Sequence, residues 1–110
     1  MFISWINHLT KFSSEHYRHF VAKAILFYLL RKMKHNVATE YRVPNGYVDI
    51  VDKDTWTFYE IENGKSPKYR NLKKELYQVT GYDVIVVDCS KLPSDIDEAR
   101  KYLEQFIVVD

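Results

Sequence analysis

Between Ser14 and about Lys34, Tyr17, Phe20, Val21, Ala24, Ile25 and Tyr28 recur at i, i+3, i+4, the spacing of one face of an α-helix. Ser13 or Ser14 offers the N-cap and Glu15 stands in the first turn. Arg31, Lys32, Lys34 and His35 crowd the last turn, where cations suit the helix dipole, and Asn36 is a stop. The pattern then changes period. Val37–Val43, Tyr47–Asp52 and Trp56–Glu62 read as strands, separated by turns at Pro44-Asn45-Gly46 and Asp52-Lys53-Asp54. In the third run, alternation puts Trp56, Phe58, Glu60 and Glu62 on one face. Ser66-Pro67 opens a second helix, with Tyr69, Leu72, Leu76 and Val79 as its apolar stripe and Gly81 as its end. Tyr82–Asp88 is a fourth strand, apolar almost throughout, which predicts burial on both faces in the middle of a covered sheet. Ser94 or Asp95 caps a last helix to about Gln105, and Phe106–Val109 forms an edge strand or a docked tail.

The order helix, three strands, helix, strand, helix predicts an α/β (α+β) fold with a mixed four-stranded sheet flanked by helices. At 110 residues the chain is read as one domain, 1–110. Residues 1–12 carry Phe2, Ile3, Trp5, Ile6, Leu9 and Phe12. They read as a short accessory helix packed on the domain or as an apolar flap used in dimerisation.

Composition narrows the setting. An apolar fraction of 46% excludes general disorder. Cys89 is the only cysteine, so neither an intramolecular disulfide nor a multi-thiolate zinc site is available. The most apolar run, residues 20–30, is too short for a bilayer and contains Lys23. The amino terminus lacks the pattern of a secretory leader. The chain is therefore expected to be a cytoplasmic protein with no membrane partner.

Chemistry concentrates where acids interrupt strands. Asp49 lies in the second strand, Glu60 and Glu62 in the third. A half-buried carboxylate needs a partner or a metal, and oxygen ligands of this kind suit Mg²⁺ or Mn²⁺. A metal held there can activate water and neutralise charge on a scissile phosphate. The competing reading is a solvated sheet edge whose acids pair with lysines. Lys65, Lys68, Arg70, Lys73 and Lys74 follow directly and begin at a helix amino end, which together fit a phosphodiester; a salt-bridged amphipathic helix is the alternative. Gly64-Lys65-Ser66 is not a P-loop, because Tyr59 occupies the position of the required first glycine. His16 and His19 have i, i+3 spacing for a metal, although capping and surface roles are commoner for such histidines. Glu40 is read as an exposed strand residue.

These motifs, Glu15-His16, Gly46-Tyr-Val-Asp49, Glu60-Ile-Glu62-Asn-Gly-Lys65-Ser66 and Asn71-Leu-Lys-Lys74, together resemble the PD-(D/E)XK nuclease superfamily, with similarity over roughly residues 13–90. The resemblance implies a restriction-endonuclease-like αβββαβα core and Mg²⁺-dependent hydrolysis of DNA phosphodiesters. It implies that Asp49, Glu60 and Glu62 bind metal with a contribution from Glu15. Lys65 or Lys74, with Lys73 as an alternative, would stabilise the phosphorane or position water. Lys65, Ser66, Lys68, Arg70, Asn71 and Lys73 would contact nucleic acid. It also implies a homodimer, since cutting both strands takes two active sites, and compact variants of this kind resemble proteins of archaea and their viruses, the latter acting in the host cytoplasm. Two departures stand out: Val48 replaces the proline before Asp49, and Glu62 occupies the usual lysine position. The rival expectation is a catalytically inactive nucleic-acid-binding or assembly protein on the same scaffold.

Overall fold

The computed structural model describes residues 14–44, 46–64, 68, 71, 74–75 and 80–109; of the first three, Ser14, Glu15 and His16, it describes the backbone alone. Helix α1 (Ser14–Lys32) leads into β1 (Val37–Val43), β2 (Gly46–Asp52) and β3 (Thr57–Glu62). Lys68, Asn71, Lys74 and Glu75 are helical in the connection to β4 (Asp83–Asp88). A 3-10 turn (Cys89–Lys91) and helix α2 (Ile96–Glu104) follow. Asp95 caps α2, its carboxylate accepting from the Glu98 amide at 3.0 Å.

The sheet order is β1-β2-β3-β4. β1 and β3 flank β2 antiparallel, and β4 joins β3 in parallel. The α+β architecture with a mixed four-stranded sheet therefore matches the reading from the pattern. One core cluster joins Ala22, Leu26 and Leu30 of α1 and Leu103 of α2 to Val37, Ile50, Tyr59, Ile61 and Val87 of the sheet. A second, built from Val43, Val48, Val51, Phe58 and Val84, lies on the other side of the strands.

Two expectations require correction, and one open alternative is resolved. The face of α1 that enters the core is Ala22, Leu26, Leu29 and Leu30, whereas Tyr17 and Tyr28 are exposed and Ala24 is too. The helix is apolar nearly all round, so spacing alone admits more than one inward face, and the aliphatic leucines bury better than tyrosines whose hydroxyls need water. β4 is an edge strand, with Val84 and Val87 buried and its other residues more open. An apolar run cannot distinguish an edge covered by side-chain layers from a central strand. Finally, Phe106–Val109 is a docked tail: Phe106 and Ile107 pack on the first cluster, and the Val108 amide donates to the Tyr59 hydroxyl at 2.9 Å.

α1 ends at Lys32, two residues before the expected end near Lys34. Lys34 adopts φ +65°. Its amide donates to the Arg31 carbonyl at 2.8 Å and the His35 amide to the Leu30 carbonyl at 3.3 Å. This is a Schellman turn with a lysine in the glycine position.

Candidate functional site

Regular pairing fails where the acids sit. The β2–β3 ladder runs from Asp52↔Thr57 to Ile50↔Tyr59 and stops. Beyond it, carboxylates replace the backbone carbonyls as acceptors. The Asp49 amide donates to Glu60 Oε1 at 3.1 Å, and the Ile61 amide donates to Asp49 Oδ2 at 2.8 Å. Each of these two acids thus reaches across to the other strand. Asp49 and Glu60 are held against each other by bonds that an ordinary strand would make with its main chain.

The β1–β2 pairing skips the same level. Thr39↔Ile50 and Tyr41↔Val48 are partners, but Glu40 and Asp49 are not. Glu40 has φ +52°, a conformation that costs a non-glycine residue roughly 1–2 kcal/mol. Side-chain alternation slips there in both strands. Ala38 and Tyr41 pack on the same cluster, as do Val48 and Val51, which strict alternation forbids. The local distortion accompanies Asp49 turning toward α1.

On that side His19 Nε2 stands 3.5 Å from Asp49 Oδ2. One turn further along α1, Lys23 forms an ion pair with Glu40. The carboxylate beside it raises the His19 pKa above 6.5, against the opposing effect of partial burial; Glu62 adds to the rise and Lys23 opposes it. Burial pushes Asp49 upward, but the bonds from His19 and the Ile61 amide outweigh it, and its pKa is lowered below 3.8. Glu60 and Glu62 are buried, at 2% and 7% exposure. Glu62 pairs with Asp88 across the parallel β3–β4 ladder, and Asp88 Oδ1 in turn accepts from the amides of Gly64 and Ser90 at 3.1 and 3.0 Å. That carboxylate closes the loop after β3 onto the end of β4.

Asp49 and Glu60 therefore meet at the end of the regular β2–β3 ladder, with Glu62 two residues further along β3; the three do not bring their ligand atoms all within 4.8 Å of one another. Hard oxygen donors on adjacent strands fit Mg²⁺ or Mn²⁺, and such an ion needs only one or two protein carboxylates when water completes its shell. Of the other sequence-selected residues, Lys68 and Asn71 are exposed and Lys74 is half-buried. Lys65, Ser66, Arg70 and Lys73, together with residues 1–12, lie outside the described residues, and the Glu15 side chain does too.

Pattern reading underweighted His19 and omitted Lys23. The signal was present: both lie on one face of α1, four residues apart. It also passed over His35, Asp52 and Asp54. Among the described residues, these form the group of three whose ligand atoms all lie within 4.8 Å of one another. Cavities of about 550 and 320 Å³ lie elsewhere, the first lined by residues including Leu29, Met33 and Ile107, the second by residues including Val21, Leu92 and Ile96. No helix among the described residues is long and apolar enough to cross a membrane. Compared with family models, curated proteins and solved structures, the chain matches none.

Proposed function

We propose that this protein is a metal-dependent DNA nuclease with a restriction-endonuclease-like core. The single observation that carries the reading is the reciprocal engagement of Asp49 and Glu60, acids of neighbouring strands whose carboxylates bond across to the opposite backbone where the ladder ends. The strand directions, two antiparallel pairings followed by a parallel one, support the same fold assignment.

Asp49 and Glu60 would hold Mg²⁺ or Mn²⁺, with Glu62 binding a metal water. The ion would lower the pKa of a bound water and offset charge at the phosphorus. His19 orients the Asp49 carboxylate and, when protonated, adds a positive charge beside it. The lysine that the superfamily carries at the position of Glu62 would be supplied by Lys74 or Lys65. The basic segment 65–74 would track the phosphate backbone, and two copies of the chain would act on the two strands of a duplex.

The test is cleavage of plasmid, linear duplex, single-stranded and junction DNA in Mg²⁺ and Mn²⁺. Wild type should cut at least one of these, and Asp49→Asn should cut at least about a hundredfold more slowly, a loss of roughly 2.7 kcal/mol in transition-state stabilisation. Cleavage by Asp49→Asn at the wild-type rate would overturn the assignment. A second reading, a binding module without hydrolysis, is favoured by Glu62 standing in the usual lysine position. Salt-dependent DNA binding with no cutting under any of these conditions would establish it instead.

A further inference from the structure

We propose that His35, Asp52 and Asp54 form a separate binding site for a divalent first-row transition cation. The site is assembled from distinct parts of the chain. His35 closes the Schellman turn that ends α1, Asp52 is the last residue of β2, and Asp54 lies in the turn to β3. Main-chain bonds fix these parts together. The Lys53 amide donates to the Asn36 carbonyl at 2.9 Å. The Asn36 amide donates to Asp54 Oδ2 at 2.8 Å, and the Asp54 amide to Asp52 Oδ1 at 3.0 Å. The turn is thereby held against the helix end before any ion arrives, which is the preorganisation a metal site needs.

His35 Nδ1 lies 2.6 Å from Asp52 Oδ2, and one ligand atom from each of the three residues falls within 4.8 Å of the others. Asp52 is wholly buried, at 0% exposure. A buried carboxylate demands neutralisation, and a second one stands beside it. The lysine and arginine ion pairs among the described residues go to Glu40, Glu98 and Glu104, not to Asp52 or Asp54. Lys53, between the two in sequence, lies over the Tyr41 ring, 5.4 Å from its centre. One imidazole thus faces two carboxylates. His35 pairs with Asp52 when protonated; a divalent cation would balance both carboxylates and join all three.

The donor set identifies the class of ion. One imidazole nitrogen with carboxylate oxygens suits Zn²⁺, Mn²⁺, Co²⁺ or Ni²⁺ better than Mg²⁺. Three protein ligands leave at least one position for water. Asp54 is exposed and His35 half-buried, which gives the ion a route from solvent. The imidazole would bind through Nδ1 as the neutral ring, so the proton shared with Asp52 leaves that nitrogen, and affinity falls in acid.

The experiment is calorimetric titration of the chelator-treated full chain with Zn²⁺, repeated with Mn²⁺, alongside thermal melts. Asp49→Asn serves as the background that weakens the acids at the β2–β3 ladder. Asp54→Asn keeps the acceptor for the Asn36 amide and changes an exposed residue, so it should fold; circular dichroism checks this, and His35→Gln is the second variant. Asp54→Asn and His35→Gln are therefore each made in the Asp49→Asn background, which by itself we expect to bind one equivalent of Zn²⁺, with Tm raised by the ion; any further equivalent in wild type belongs to the acids at the β2–β3 ladder. Affinity should fall at least about tenfold in Asp54→Asn and in His35→Gln, and Zn²⁺ should no longer raise their Tm. No binding by wild type to either ion, or Zn²⁺ binding unchanged by both variants, overturns the proposal. The outcome is independent of whether the chain cuts DNA.

Discussion

His19 on α1 and Asp49 on β2 meet at 3.5 Å, and each moves the other's titration toward the charged form. The His19 pKa is raised, so its part of the pairing is fully present below about 6.5 and is lost as pH climbs through the raised value. The Asp49 pKa is lowered, so its part is present above about 3.8 and is lost as pH falls through the lowered value. The pairing is strongest between those limits. Asp49→Asn should bring the His19 pKa back down toward its ordinary value, as read from the imidazole proton shifts in an NMR titration. An unchanged His19 titration in that variant would mean that the carboxylate is not what sets it.

Cys89 should behave as an inert thiol. It is wholly buried in the first core cluster. Burial pushes its pKa up to about 11, with the Asp88 carboxylate adding to the rise and Arg18 opposing it. The reactive thiolate is then scarce at neutral pH, and access requires opening of the surrounding structure. At pH 8, a thiol reagent should label the native protein far more slowly than the urea-unfolded chain. Prompt stoichiometric labelling of the native state would contradict the buried placement.

The strands and the last helix were legible because alternation, Gly and Pro signals and a capping residue at Ser94 or Asp95 mark them, and the structure selects Asp95 as the cap. The inward face of α1 was not, because apolar residues ring that helix and only the packed sheet selects Leu26 and Leu30. Asp49 and Glu60 could be picked out as acids inside strands, but sequence does not show that the ladder ends between them. The same level carries the slip at Glu40, whose positive φ no glycine or asparagine announces. His35, Asp52 and Asp54 were hidden for a different reason. Asp52 and Asp54 read as ordinary turn residues, and nothing in their spacing places the end of α1 beside them.

Lys34 offers a stabilising substitution. It occupies the left-handed position of the α1 C-terminal turn with φ +65° and is exposed. Glycine there avoids the side-chain penalty, although it also enlarges the freedom of the unfolded chain. The net effect of Lys34→Gly should be a gain of about 0.5–1 kcal/mol. Urea denaturation measures it as a higher midpoint with an unchanged slope. Lys34→Val, which is stiff at the β-carbon, should move the midpoint the other way.

Tyr59 links the sheet to the carboxy-terminal tail. Its ring lies wholly buried in the first cluster, and its hydroxyl accepts the Val108 amide at 2.9 Å. Tyr59→Phe keeps the ring and removes the acceptor. The half-buried Val108 amide then has to find water, which should cost about 1 kcal/mol. Tyr59→Leu loses ring packing as well and should cost more, since a buried aromatic contributes well beyond its hydroxyl. The two variants separate tail docking from core packing through amide exchange. In Tyr59→Phe, exchange should accelerate at Val108 and its neighbours while the amides of β2 and β3 keep nearly their wild-type protection. In Tyr59→Leu, exchange should accelerate across the sheet. Equal acceleration everywhere in Tyr59→Phe would show that the hydroxyl bond supports the whole core and not the tail alone.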